Sequence, residues 1–166
     1  LPAYGTNVLV NILNQVGSLP TNNFHKACFA DADKTGGETL AKERLVRNKG
    51  CAACVIACGR VSRSQGKYQE HGEGPEYESA WAFGADCGVS DLDAIITANF
   101  RCNELGIDTI GMGATIAAAM DLYEMGAIDS KITGGIELRF GNADALVPLV
   151  EAAASGKGFG ADLAMG

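Results

Sequence analysis

A mainly α-helical fold with few short strands is the class this sequence predicts, on three observations. Apolar residues recur at helical spacing in several separate stretches, glycines stand where those stretches stop, and Gly72, Gly74 and Pro75 interrupt the segment that most resembles paired strands. The 166 residues, 47% of them hydrophobic, suffice for one domain with a real core. Thirteen Lys and Arg against 20 Asp and Glu leave a net charge of −7 without any basic run, which argues against nucleic acid or an anionic membrane as partner. No apolar run approaches the roughly 20 residues that span a bilayer, and the N-terminus lacks the pattern of a signal peptide, so the cytoplasm is the expected compartment. The chain opens at Leu1 without a methionine and stops at "GFGADLAMG", where another helical pattern is beginning, so a piece of a longer protein is expected.

The elements follow in order. From Thr6, the residues Val8, Leu9, Ile12, Leu13 and Val16 keep one apolar face, and Gly17 closes that helix. Ser18 to Gly37 is rich in turn formers and reads as an ordered loop. A short helix from Glu38 to about Arg47 leads into "KGCAACVIACGR", and the stretch after it has room for a short strand pair. Ser90 with Asp93 resembles a capping box, followed by Leu92, Ile95, Ile96, Asn99 and Phe100 on one face and Gly106 as a left-handed stop. Thr109 to Glu124 forms the next helix, ended by Gly126, with Ala117 to Ala119 allowing close approach of a neighbour. "KITGGIELRF" is expected to pair briefly as strands, and Asn142 to cap Ala143 to Ala154, where Pro148 should kink the helix or delay its start.

Three of six cysteines, Cys51, Cys54 and Cys58, fall within eight residues. Cys28 and Cys102 stand alone and read as small buried hydrophobes. Disulfides are intracellular exceptions, and three thiols leave one over, so the cluster reads as metal binding. Gly50 and Gly59 flank it and let the backbone curl. Structural zinc takes a second CxxC or a His pair, which is missing, and His25 and His71 read as loop or surface residues. Iron and sulfur fit better, because a 4Fe-4S cube takes four soft thiolates, often three from one run and one from far away. The spacing reverses that of radical enzymes that manage with three cysteines. The fourth ligand is either Cys87, about 30 residues downstream as in large molybdopterin oxidoreductases, or a cysteine beyond Gly166.

Several stretches taken together are more specific. "YGTNVLVNILNQVGSLPTNNF", "GCAACVIACGR", "EGPEYESAWAFGADCGVSDLDAIITANFRCNELGIDTIGMGATIAAAMDLYEMG" and "RFGNADALVPLVEAAASGKGFGADLAMG" resemble consecutive segments of the aldehyde:ferredoxin oxidoreductase family, whose members carry tungsten in a bis-pterin cofactor. The resemblance implies that residues 1–166 are a fragment of a larger enzyme, a helical second domain running into the third, without the N-terminal pterin domain. It implies that Cys51, Cys54 and Cys58 hold a 4Fe-4S cluster whose fourth cysteine lies in the C-terminal part, leaving Cys87 to packing. Asn103, Gly106, Ile107 and Asp108 match one pterin-binding loop, with Asn103 where the family usually has Asp. One glutamate of "GPEYE" matches the acid/base near tungsten, and the ungapped distance to "CNELG" favours Glu78 over Glu76. Where some members carry a Glu-x-x-His iron site, this chain reads "TANF", Thr97 to Phe100, so that site is not expected.

The function so implied is oxidation of a small aldehyde to a carboxylic acid at tungsten, or molybdenum, in a bis-pterin centre. Electrons would leave through the cluster to ferredoxin or an iron-sulfur electron-transfer subunit, in an oligomer completed by the remaining parts of the enzyme. Two rivals stand beside it: a tungsten subunit of a benzoyl-CoA reductase, and a non-catalytic iron-sulfur module. Taken without the resemblance, Glu76 and Glu78 are helix-start glutamates placed by the helix dipole. "GMGAT" and "GKGFGAD" do not complete a dinucleotide motif and read as close helix packing and as helix stop and entry. Trp81 and Phe83 read as core residues before they read as a substrate pocket.

Overall fold

In a computed structural model describing residues 1–166, the chain begins with α1 (Val8–Gln15), α2 (Ala32–Thr35) and α3 (Gly37–Glu43). A three-stranded antiparallel sheet follows, in the order β1 (Leu45–Lys49), β2 (Gly59–Arg63), β3 (His71–Glu73). Next comes α4 (Tyr77–Trp81), which widens into a π turn over Ala82–Asp86, and then α5 (Leu92–Leu105), α6 (Thr109–Glu124), α7 (Ala143–Ser155) and α8 (Phe159–Leu163). The class is mainly α, as the periodicity predicts. No helix is long and apolar enough to cross a membrane.

The main core lies among α5, α6, α7 and the π turn, where Phe83, Ile95, Ile116, Met120, Leu138, Leu146 and Leu149 are fully buried. Burying one such side chain contributes about 1.5–3 kcal/mol, against about 1 kcal/mol for a helix cap. Packing therefore decides that these helices pair, and caps decide where they begin. Gly113 is needed at the crossing of α6 on the π turn, since a Cβ there would sit 2.6 Å from the Ala82 Cβ. The "GMGAT" stretch is thus a close-packing device. A smaller cluster of Val10, Leu19, Phe29, Ala32 and Ala85 holds α1 and its loop to the π turn, and Leu40, Leu92, Ile96 and Phe100 join α3 to α5.

Several local expectations are corrected. The helix expected to reach Arg47 ends at Glu43, because residues 45–49 pair with Gly59–Ser62 across the sheet and Arg44 turns to clamp Asp93 of α5 with bonds of 2.8 and 2.9 Å. The cap of α5 is Asp91 rather than Ser90, its carboxylate accepting from the amides of Asp93 and Ala94. "KITGGIELRF" forms turns, not strands: Asp129 accepts from the amides of Lys131 and Ile132, and Gly134 and Gly135 take positive φ. The helix α7 runs through Pro148 without a delayed start, offsetting the lost intrahelical bond by burying Leu146, Leu149 and Val150. The loop from Ser18 to Gly37 contains α2 and a Thr21–Lys26 bridge. Cys28 is exposed rather than buried, its Sγ beside the Asn14 carbonyl, whereas Cys87 and Cys102 are buried.

Asp86, at the end of the π turn, is fully buried and neither carboxyl oxygen has a well-formed hydrogen bond. Burial pushes its carboxyl up from 3.8 to about 6, against the amides of Phe24 and Asn23, which pull it down. The folded chain thus holds this proton at pH values where the unfolded chain has released it. The associated stability is complete below about pH 3.8 and is lost as pH rises towards 6. Replacing the carboxyl by an amide, Asp86→Asn, is expected to abolish this decline, which is about 3 kcal/mol at most; denaturant titrations of both proteins at pH 4 and pH 7 measure it.

Candidate metal and cofactor centre

The connection from β1 to β2, Gly50 to Cys58, carries all three clustered cysteines at the tip of a hairpin. The Cys54 amide donates to the Cys51 carbonyl at 3.0 Å, and Ala53 and Ala57 take left-handed conformations with φ of 59° and 48°. The small side chains tolerate that curl, and glycine is required where the loop rejoins the sheet: a Cβ on Gly59 would lie 2.9 Å from the Lys49 carbonyl. Cys51 and Cys54 are exposed and Cys58 half-buried, all as free thiols. Between them Val55 is 96% exposed, an apolar side chain turned away from the core.

No three His, Cys, Asp or Glu side chains converge tightly enough to hold a single metal ion. A cube presents its irons at separate corners, so its thiolates surround it rather than meet at one point. Three soft donors on one bent loop fit that geometry. The surroundings fit as well, through a residue that sequence reasoning passed over. Arg60, two positions after Cys58, is 1% exposed and lies beneath the loop. Its guanidinium donates to the carbonyls of Ala57 and Gly59 at 3.1 and 3.0 Å and of Leu1 and Pro2 at 2.7 and 3.0 Å. Nε has no partner. Its signal in the sequence is alternation: β2 turns Arg60 and Ser62 inward and leaves Arg63 outside.

A second feature is an open, polar cavity of about 590 Å³ between the end of β3, the start of α4 and the junction of α5 with α6, lined by residues that include Glu76, Ser79, Asn99, Asn103 and Thr109. Asn99 and Asn103 both aim their amides at the Glu73 carbonyl, at 2.9 and 3.4 Å. The Ser79 and Thr109 hydroxyls meet at 2.7 Å and tie the start of α4 to the start of α6. Amides and hydroxyls offer donors and acceptors in the same groove, which suits the mixed hydrogen-bonding edge of a pterin.

Of the loop Asn103–Asp108, Asn103 lines this cavity, Gly106 is the left-handed end of α5 at φ 70°, and Ile107 packs on the core. Asp108 serves as the cap of α6, its Oδ2 accepting from the Gly111 amide at 2.7 Å. The two glutamates differ. Glu76 stands at the N-terminal boundary of α4 without a capping bond of its own, lines the cavity and accepts a hydrogen bond from the Thr6 hydroxyl, which in turn accepts from the Tyr77 amide at 2.9 Å. Glu78 is exposed, makes no side-chain hydrogen bond and is not among the residues that line the cavity. Trp81 is committed elsewhere, donating to the Pro20 carbonyl, and Phe83 belongs to the core.

The family model described as aldehyde ferredoxin oxidoreductase, domains 2 & 3, matches residues 1–166. The chain is 48% identical over 167 residues to the tungsten-containing aldehyde ferredoxin oxidoreductase of Pyrococcus furiosus, an alignment covering 100% of this chain and 27% of that protein. It is 47% identical over 169 residues to the protein of the same name from Thermococcus kodakarensis, again over 100% of this chain and 27% of the relative. A weaker similarity, 29% over 115 residues, relates 68% of the chain to 18% of the aliphatic sulfonate oxidoreductase, WOR-like subunit, of Pyrococcus furiosus. The chain therefore spans only 27% of the length of the two tungsten-containing relatives.

Exposure separates the thiols chemically. Burial raises the Cys87 thiol far above its ordinary value and pushes Cys102 up to about 12. Alkylation depends on the thiolate and on access, so brief treatment of the metal-free native chain is expected to label Cys28, Cys51 and Cys54 first, Cys58 more slowly, and Cys87 and Cys102 only after unfolding. Peptide mass spectrometry over a time course reads the order.

Proposed function

Because the chain belongs to the aldehyde ferredoxin oxidoreductase family, we propose that it is the second-domain segment, running into the third, of an enzyme that oxidises aldehydes to carboxylic acids and passes the electrons to ferredoxin or another carrier. The observation that carries this reading is the pairing of a three-cysteine hairpin loop with a polar groove lined by Asn103 and Glu76, with Glu78 exposed two residues further along α4. Tungsten, or molybdenum, held by the dithiolenes of a bis-pterin accepts the two electrons when bound, and that chemistry belongs to the cofactor.

The chain's own residues supply placement and proton handling. Cys51, Cys54 and Cys58 give three of the thiolates for a 4Fe-4S cluster, which relays electrons singly. Asn103 and the backbone at Gly106 and Ile107 would hold the pterin, and Asp108 fixes that loop's exit by capping α6. The neutral amide of Asn103 both donates and accepts, where a carboxylate only accepts. Glu78, without an internal partner, would take the proton of the attacking water or of the hydrated aldehyde as the aldehyde is oxidised. Glu76 is anchored by Thr6 and fixes the entry into α4, which keeps Glu78 in place. The Ser79–Thr109 contact ties α4 to the start of α6, directly after the loop that would hold the pterin.

In the full-length enzyme purified without oxygen, Glu78→Gln is expected to keep its metals and lose aldehyde oxidation by about 10²–10⁴-fold, measured with a dye acceptor. Undiminished turnover would move the acid/base role to Glu76. The Cys54→Ser enzyme is expected to lose cluster iron and sulfide, measured chemically. A wild-type enzyme inactive on aldehydes but active in reducing an aromatic thioester would replace the aldehyde assignment.

A further inference from the structure

Arg60 is a cation buried without an anion. It is 1% exposed, forms no ion pair within 4.0 Å, and its four hydrogen bonds all go to neutral backbone carbonyls. The other cations around the hairpin are accounted for: Lys49 pairs with Glu73, Arg44 pairs with Asp93, and Arg47 and Arg63 are exposed to water. Removing a permanent cation such as a guanidinium from water without a counter-charge costs several kcal/mol, and carbonyl dipoles recover only part of that. Two of the four carbonyls belong to Ala57 and Gly59, on either side of Cys58. The charge is therefore fixed directly under the thiol-bearing loop. A third approach tightens this arrangement: a Cβ on Gly5 would lie 3.0 Å from the Cys58 carbonyl and 3.1 Å from Arg60 Nε, so the N-terminal segment closes over both.

We propose that Arg60 is a positioning residue whose buried guanidinium serves as the counter-charge of the iron-sulfur cluster, holding the Cys58 end of the loop and setting the cluster's reduction potential. This rests on the reading of Cys51, Cys54 and Cys58 as cluster ligands. An iron-sulfur cube with thiolate ligands is anionic, and one-electron reduction adds a further negative charge. A fixed positive charge close by favours the reduced form, and more strongly in the low-dielectric interior than in water. Removing the charge makes the cluster harder to reduce.

The test is an EPR-monitored titration of the anaerobic full-length enzyme with dithionite and mediators, on wild type, Arg60→Lys and Arg60→Met, with iron and sulfide counted in each. The Arg60→Met cluster is expected to require a potential lower by about 59 mV or more, equivalent to a tenfold fall in the reduced-to-oxidised ratio at fixed potential for one electron. Arg60→Lys keeps the charge but not the fork, so its potential should stay near wild type while its cluster is lost faster to a chelator. Loss of the cluster in Arg60→Met with retention in Arg60→Lys, both folded by circular dichroism, also supports the charge. An unchanged potential in Arg60→Met, or equal cluster loss in both folded variants, overturns it. Wild-type enzyme without iron and sulfide overturns instead the ligand reading on which it rests.

Discussion

The hydrogen-bonded fork of Arg60 is the constraint on which the cysteine loop depends. One buried side chain gathers carbonyls from the first residues of the chain and from both sides of Cys58. Without it, nothing but the sheet's own ladder would hold the base of the hairpin tip, since Arg60 supplies the bonds that tie the turn around Cys58 to the first residues of the chain. The sheet gains its footing from β3 and from α5, whose Phe100 ring closes against Gly72. A loop that must present three thiols is thus held at its base while its tip, with Val55 facing outward, is left to meet other surfaces.

The polar groove shows the same division between rigid support and available chemistry. Ser79 with Thr109, Thr6 with Glu76, and Asp108 with Gly111 are contacts between residues close to the candidate chemistry, and each spends a polar group on holding an element in place. Glu78, two residues beyond the groove-lining Glu76, is a carboxylate with no such commitment. Its exposure follows from its place in the first turn of α4, on the side away from the buried Ser79 and Ala80. The large core beneath, with Phe83, Ile95 and Ile116, makes the helix ends stiff enough for these polar contacts to matter.

The sequence made the helices legible wherever an apolar face was long and a glycine ended it, as with Gly106 after α5 and Gly126 after α6. It misled where short-range signals competed with distant partners. Residues 45–49 carry no mark that distinguishes the end of a helix from a strand, and only Gly59–Ser62 across the ladder decides. "KITGGIELRF" has strand-like ends, but two glycines at positive φ make it turn. In the candidate centre, cysteine spacing and the family resemblance pointed to Cys51, Cys54 and Cys58, which the structure places on one hairpin loop. The buried charge under the loop and the hydroxyl contacts of Thr6 and Ser79 were hidden, since each joins residues 30 to 71 positions apart or pairs a side chain with backbone carbonyls.

The most direct measurement is elemental analysis of the native full-length protein isolated without oxygen, together with its EPR spectrum after reduction. Iron and acid-labile sulfide in equal amounts, about four of each per polypeptide, with tungsten or molybdenum and a reduced-cluster signal, is the predicted result. Zinc alone, or a colourless protein with no iron and no heavy metal, contradicts an iron-sulfur centre on Cys51, Cys54 and Cys58.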